Sequence, residues 1–123
     1  YWLGQVSDAQ RTWLLMKARA LILPSTSRAE AFGLVLLESM RAGKPAICTR
    51  LGTATDWLVQ NEQTGLVVDP GDAEGLAQAM QRLWSDEGLV SQLGDKAAQR
   101  FQAQFESRRY AEALTAVYER VAR

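Results

Sequence analysis

Apolar positions along the first 85 residues alternate between two kinds of pattern. Continuous apolar runs at Ala20–Leu23, Pro45–Thr49 and Gly65–Val68 are typical of strands that are buried on both faces of a parallel sheet. Segments with apolar residues three and four positions apart separate these runs and predict amphipathic helices. Tyr1–Val6 is a further short, strand-like run. This alternation predicts an α/β fold, a partial Rossmann-like parallel sheet of about three to four strands with helices on its faces.

The predicted helices have recognisable starting and ending signals. They span Asp8–Ala20, Gly33–Ala42, Asp56–Gln60, Ala73–Ser85, Gly88–Phe105 and Ser107–Val121. Ser7 or Asp8 can cap the first helix, and Gly43 can end the second. Residues 1–85 therefore form the α/β part of a partial domain, and residues 86–123 form its helical C-terminal part.

Composition narrows the classes of function. The 14 basic residues balance the 14 acidic ones, so no strong basic field is available to attract nucleic acid. The chain has no histidine and one cysteine, which excludes the usual Cys/His zinc sites, histidine-based triads and a disulfide framework. No stretch approaches the ~20 apolar residues of a membrane span. Cys48 lies in an apolar run and is expected to be a small core residue.

The segment EAFGLVLLE, residues 30–38, is the candidate functional site. It follows a predicted strand, and ligands of open α/β sheets bind at the carboxyl ends of the strands. The next helix begins near Gly33, where free N–H groups and the positive end of the helix dipole suit a phosphate. Glycine at that point would let a phosphate approach the backbone closely.

Two glutamates flank this helix start. Glu30 precedes it, and Glu38 lies about 7–8 Å along the helix in an otherwise apolar stretch. A carboxylate there needs hydrogen-bond donors, and the two hydroxyls of a ribose would supply them. The geometry suggests a pyrophosphate at the helix start, a ribose near Glu38 and a sugar near Glu30. The residues alone leave a second interpretation open, in which Glu30 only complements the dipole and Glu38 faces solvent.

Four segments in order along the chain resemble glycosyltransferase family 4. They are LGQVSD at Leu3–Asp8, ALILPS at Ala20–Ser25, EAFGLVLLESMRAGKP at Glu30–Pro45 and TGLVVDPGD at Thr64–Asp72. The resemblance implies one part of a GT-B enzyme, whose two Rossmann-like domains face a cleft. It also implies a nucleotide-sugar donor such as a GDP- or UDP-hexose, no cofactor and no metal, and retention of the anomeric configuration. The acceptor would be a glycan, a lipid-linked compound or a small molecule.

The resemblance also assigns roles to residues of the candidate site. The position of Glu38 binds the ribose hydroxyls in relatives. The position of Glu30 contacts the transferred sugar and is the catalytic candidate. The backbone at Phe32, Gly33 and Leu34 meets the sugar and the phosphate.

A second group of positions matches the surroundings of the nucleotide base. These are the strand end at Val6 and the following Asp8 and Arg11, although some relatives have lysine at the position of Arg11. The basic residues that neutralise the pyrophosphate, the first strands and the N-terminal acceptor domain would lie upstream of Tyr1. Arg28 is the only cation in the binding loop, either as a solvated residue or as a replacement for them.

Several expectations concern the behaviour of the chain. Alone it is expected to be inactive, and the parent enzyme to be cytoplasmic, with a lipid-linked acceptor placing it at the inner face of the membrane. The family's strand order leaves Tyr1–Val6 without a native partner and Leu21–Leu23 as an exposed edge. The chain would then pair these two segments, dimerise through the edge or aggregate. Rival functions are a sugar-nucleotide epimerase, a glycoside phosphorylase or a non-catalytic binding remnant.

Three further features leave more than one interpretation open. The loop Gly52–Asp56 either lines the sugar pocket or caps a helix. The resemblance of Leu51–Asp56 to bacterial polysaccharide enzymes favours a mannose or N-acetylhexosamine donor. The apolar stripe of the last helix serves either docking onto another domain or the core; it comprises Tyr110, Leu114, Val117 and Tyr118. The four tryptophans are expected in the core or at a domain interface.

Overall fold

The three strands form one parallel sheet in a computed structural model that describes residues 1–121. Strand β1 spans Leu21–Leu23, β2 spans Ala46–Thr49 and β3 spans Gly65–Val68, and the order in the sheet is β1-β2-β3. Each strand pairs with the next one in parallel. The predicted α/β class, the parallel pairing and the helical C-terminal part are therefore confirmed. Residues 122 and 123 of the predicted C-terminal part lie outside the described residues.

The described residues also form six helices. Their bounds are α1 Asp8–Lys17, α2 Leu34–Arg41, α3 Ala54–Leu58, α4 Ala73–Ser85, α5 Glu87–Gln104 and α6 Ser107–Val121. The predicted bounds of α4 and α6 agree with the structure. Helix α1 ends three residues early because Ala18 is already extended. Helix α3 begins two residues early because the Asp56 carboxylate accepts a hydrogen bond from the Thr53 N–H, which makes Asp56 its third residue.

The prediction of a strand at Tyr1–Val6 is wrong. This segment is irregular and exposed, apart from a half-buried Val6. A strand needs a neighbour to bond its N–H and C=O groups, and no described strand lies beside these residues. The segment does not pair with β1, whose outer edge has no strand partner among residues 1–121. Dimerisation through that edge stays a prediction.

Two apolar clusters cover the two faces of the sheet. On one face Cys48 packs with Leu36 of α2 and Leu58 of α3. On the other face Ile47 packs with Leu83 of α4 and other buried apolar residues. Burial raises the pKa of the Cys48 thiol to about 12, with a smaller contribution from the Asp56 carboxylate. The thiol is thus neutral at physiological pH, and the prediction that Cys48 is a core residue is confirmed.

Helix α5 holds α2 in place through a close backbone contact. A Cβ atom added to Gly94 of α5 would lie only 2.3 Å from the carbonyl oxygen of Gly43, which follows α2. No side chain fits in that space, so glycine at position 94 permits the contact. Helix α2, which carries Glu38, is therefore packed closely against α5 of the C-terminal part of the chain.

Several large apolar side chains are exposed. None of the four tryptophans is buried, so of the two predicted places the core is wrong and a domain interface stays open. Trp57 makes an edge-to-face contact with Phe105, with ring centroids 5.6 Å apart, and Arg100 lies 5.2 Å above its ring. Helix α6 has no buried residue. Its apolar stripe is therefore not part of the core of residues 1–121, which leaves docking as the open interpretation.

Candidate functional site

The candidate site lies where β1 and β2 end. Strand β1 leads into the loop of residues 24–33, and β2 leads into the loop of residues 50–53. The two strands are parallel neighbours, so both loops emerge at the same edge of the sheet. The site therefore has a rigid sheet behind it and two adjacent loops that can contact a ligand.

Gly33 sets the geometry of the helix start. It is buried and has φ +72°, a left-handed conformation that glycine adopts without strain. A Cβ atom there would lie 3.0 Å from Leu36, 3.2 Å from Leu23 and 3.3 Å from Thr55. No side chain caps α2. The first N–H groups of this helix thus remain available to an external acceptor.

Glu30 folds back onto this helix start. Its Oε1 accepts a hydrogen bond from the Gly33 N–H at 3.1 Å, and the residue is half-buried. The backbone at Phe32, Gly33 and Leu34 was predicted to meet the sugar and the phosphate, but the Glu30 carboxylate already occupies the Gly33 N–H group. A bound phosphate would consequently depend on the next N–H groups, those of Leu34 and Val35.

The residues on either side of Gly33 present apolar surface. The side chain of Phe32 is 40% exposed, and that of Leu34 is 69% exposed. Both residues are predicted to contact a ligand through their backbone. The exposure of their side chains does not test that prediction. Their side chains form an apolar rim around the helix start.

Helices α1 and α2 meet through an ion pair. An Arg11 nitrogen lies 3.1 Å from Glu38 Oε1 and 3.4 Å from Asp8 Oδ1. Arg11 and Glu38, which were assigned to base and ribose, are thus brought together directly. The side chain of Asp8 is almost fully exposed to solvent. The description of Val6 as a strand end is wrong, because residues 1–6 form no strand.

The second oxygen of Glu38 has no partner. Although 37% of the side chain is exposed, Oε2 is buried and makes no hydrogen bond with any described residue. An unpaired buried carboxylate oxygen costs free energy, about 1–3 kcal/mol or more for a charged group. This oxygen is therefore a hydrogen-bond acceptor that no described residue uses.

A cavity of about 460 Å³ lies beside Glu38, between α1 and α2. Its lining comprises Arg11, Thr12, Leu15, Met16, Glu38, Arg41 and Ala42. Two guanidinium groups and one carboxylate give this lining a net positive charge, which suits an anionic ligand. The sequence analysis missed Arg41, although its position three residues after Glu38 places both side chains on one face of α2.

Arg28 does not face the helix start. It is exposed, and its guanidinium donates a hydrogen bond to the carbonyl oxygen of Gly52 at 3.2 Å. The cation therefore links the two loops of the site. Its use as a replacement for the family's phosphate-binding cations has no support in these contacts.

Residues 1–121 contain no group of three or more His, Cys, Asp or Glu side chains placed to hold a metal ion. A reaction without metal or cofactor stays a prediction. Within the same part of the chain, no helix combines the length and the apolar character needed to cross a membrane.

Comparison with known families identifies the chain. Residues 1–100 match the family described as glycosyl transferases group 1. The chain belongs to this family. The match includes both glutamates, the helix start at Gly33 and the cavity between α1 and α2.

Bacterial glycosyltransferases are among the similar proteins. The O-antigen chain mannosyltransferase C of Escherichia coli is 32% identical over 94% of the chain, and the D-rhamnosyltransferase WbpZ of Pseudomonas aeruginosa is 37% identical over 85%. The chain spans only 31% and 28% of the length of these two relatives.

Solved glycosyltransferases share the fold. Sucrose-phosphate synthase from Thermosynechococcus elongatus superposes with a TM-score of 0.88 at 31% identity, over 98% of the chain and 30% of that protein. Anabaena HepE in complex with UDP-glucose superposes with a TM-score of 0.78 at 24% identity, over 93% of the chain and 31% of that protein. In each case the chain corresponds to one part of a GT-B structure.

Proposed function

We propose that this chain is the donor-binding part of a longer, retaining glycosyltransferase of family 4. The longer protein transfers a hexose from a GDP- or UDP-sugar to a glycan, lipid-linked or small-molecule acceptor. An N-terminal acceptor domain and the first strands of the donor domain complete it, and residues 1–123 alone are inactive. The reaction takes place in the cytoplasm, or at the inner face of the membrane when the acceptor is lipid-linked.

The observation that carries this proposal is the Oε2 atom of Glu38, which is unpaired among residues 1–121 and lies beside a positively charged cavity. Arg11 contacts the other oxygen at 3.1 Å, which restricts the orientation of the carboxylate. An ionised carboxylate accepts hydrogen bonds only. The ribose of a GDP- or UDP-sugar has two neighbouring hydroxyl donors and fits this requirement.

The diphosphate is assigned to the beginning of α2. The first N–H groups and the helix dipole attract negative charge there. The helix start lies about 7–8 Å from Glu38 along the axis, a separation that a diphosphate joined to a ribose can span. Arg41 on the same helix and Arg11 on α1 add positive charge beside the nucleotide.

Glu30 then lies on the sugar side of the diphosphate. Its bond to the Gly33 N–H keeps the carboxylate next to the helix start. When the bond between the anomeric carbon and the diphosphate oxygen breaks, positive charge develops on the sugar and negative charge on the phosphate. A fixed carboxylate on one side and helix N–H groups on the other stabilise these charges in the transition state.

The names of the relatives favour a hexose donor of the mannose type. Mannosyltransferase C and the rhamnosyltransferase WbpZ transfer such sugars by their printed names. HepE supplies a precedent for UDP-glucose on the same fold. A GDP-linked hexose is thus the first donor to test, followed by UDP-linked hexoses and N-acetylhexosamines.

The test uses the longer protein that carries this chain, with GDP-mannose, UDP-glucose and UDP-N-acetylglucosamine as donors. We expect release of the nucleoside diphosphate with transfer of the sugar. The one-bond ¹³C–¹H coupling constant at the anomeric carbon of the product should show the donor's anomeric configuration. Inversion would contradict the retaining mechanism. An epimerised free sugar nucleotide or a sugar phosphate would instead support the epimerase or the phosphorylase, and binding without turnover would support the non-catalytic alternative.

A further inference from the structure

The two loops of the site are joined by hydrogen bonds between their backbones and side chains. The Thr53 hydroxyl donates to the carbonyl oxygen of Glu30 at 3.1 Å. The Ala54 N–H donates to the carbonyl oxygen of Ala31, also at 3.1 Å. The loop after β2 is therefore attached directly to the residue proposed to face the transferred sugar.

A second hydroxyl connects Thr53 to the core. Thr53 Oγ1 and Thr55 Oγ1 lie 3.1 Å apart. The single hydroxyl proton of Thr53 is used on Glu30, so Thr55 donates to Thr53. Thr55 is only 1% exposed, and its carbonyl oxygen accepts a hydrogen bond from the Cys48 thiol of β2. A chain of hydrogen bonds thus runs from the sheet through Thr55 and Thr53 to Glu30.

Glu30 is consequently fixed at two points. Thr53 holds its carbonyl oxygen, and the Gly33 N–H holds its carboxylate at 3.1 Å. In addition, the Glu30 N–H donates to the Ser27 carbonyl oxygen at 3.2 Å within the same loop. The bond from Thr53 is the one that attaches Glu30 itself to the second loop.

We propose that Thr53 is a positioning residue for Glu30. This inference rests on the proposed function, in which Glu30 faces the transferred sugar. Thr53 acts through the backbone of Glu30 and supports the rate of transfer more than the binding of the nucleotide. Misplacement of a reacting group by about 1 Å costs up to 10²-fold in rate, so the contact has a measurable consequence.

The test compares two substitutions at position 53 of the longer protein. Thr53→Val keeps the shape but removes the hydroxyl, whereas Thr53→Ser keeps the hydroxyl. We expect Thr53→Val to lower kcat by about 10- to 100-fold while the Kd for the nucleoside diphosphate stays within about 2-fold. Thr53→Ser should retain most of the rate. Thr115→Val is the matched control, because that hydroxyl only bonds Ala111 on the exposed α6.

A second measurement does not depend on activity. Hydrogen exchange of the Gly33 amide reports the bond between Gly33 and Glu30. In Thr53→Val this amide should exchange faster than in the unsubstituted protein, and in Thr53→Ser it should exchange at nearly the original rate. If Thr53→Val does not fold, Thr53→Ala provides the same comparison.

The outcomes separate this inference from the proposed function. Equal losses of kcat in the serine and valine variants, or an unchanged Gly33 amide in the valine variant, would overturn the positioning role. An unsubstituted protein that transfers no sugar, yet shows the expected Gly33 exchange in the variants, would support the attachment of Glu30 to Thr53 and overturn the proposed function.

Discussion

Replacing Glu38 by alanine in the longer protein is expected to weaken the binding of GDP or UDP by about 30- to 1,000-fold. The reason is the loss of two charge-assisted hydrogen bonds from the ribose, worth about 2–4 kcal/mol together. Arg11 loses its partner in the same variant and becomes free to contact a phosphate, which moves the expected loss toward the lower end. Isothermal titration calorimetry measures the change directly.

Two controls give this experiment its specificity. Glu38→Gln retains one acceptor oxygen and should lose less affinity than the alanine variant. Glu112→Ala also breaks an ion pair between glutamate and arginine, with Arg108 at 3.3 Å, but on the exposed α6. It should bind the nucleotide normally. Unchanged affinity in Glu38→Ala would disprove the ribose assignment.

Replacing Glu30 by glutamine is expected to lower kcat by about 10²- to 10³-fold, the cost typical of removing one electrostatic contact to a transition state. The amide oxygen of glutamine can still accept the Gly33 N–H, so the loop keeps its conformation. The charge that stabilises the sugar is lost, and this loss appears in the rate.

Affinity for the free nucleoside diphosphate should change by less than about 3-fold in the same variant, because the diphosphate depends on the N–H groups of Leu34 and Val35, which the substitution leaves in place. Steady-state kinetics and calorimetry on one preparation compare the two effects. If Glu30→Gln abolished nucleotide binding while leaving kcat intact, the orientation assigned to the donor would be reversed.

The sheet could be predicted because each of its strands has a recognisable local sequence pattern. Leu21–Leu23, Ala46–Thr49 and Gly65–Val68 are continuous apolar runs that end at polar or turn-forming residues, and each is flanked by an amphipathic helix. Tyr1–Val6 has a similar composition but forms no strand. Strand formation there depends on a neighbouring strand, which the local sequence does not reveal.

The candidate site could be predicted in part. The spacing of Glu30, Gly33 and Glu38 around a helix start points to the carboxyl end of the sheet, where the structure has them. The pairing of Arg11 with Glu38 joins residues 27 positions apart through the packing of two helices. No periodicity within either helix encodes such a contact.

The role of the loop after β2 could not be predicted from the sequence either. Gly52–Asp56 was predicted either to line the sugar pocket or to cap a helix through Thr55 or Asp56. The structure instead has Thr53 as the N-cap, and Thr55 and Asp56 lie in the first turn of α3. The bond from Thr53 to the Glu30 carbonyl depends on the adjacency of β1 and β2 in the sheet. Sheet topology, rather than local composition, creates this contact.

A crystal structure of the longer protein with GDP or UDP bound tests the central claim most directly. The account predicts ribose hydroxyls about 3 Å from the Glu38 carboxylate and phosphate oxygens at the same distance from the first N–H groups of α2. The Oε2 atom, which has no partner among the described residues, should then be hydrogen-bonded. A nucleotide bound elsewhere, with Glu38 contacting Arg11 alone, would contradict the account.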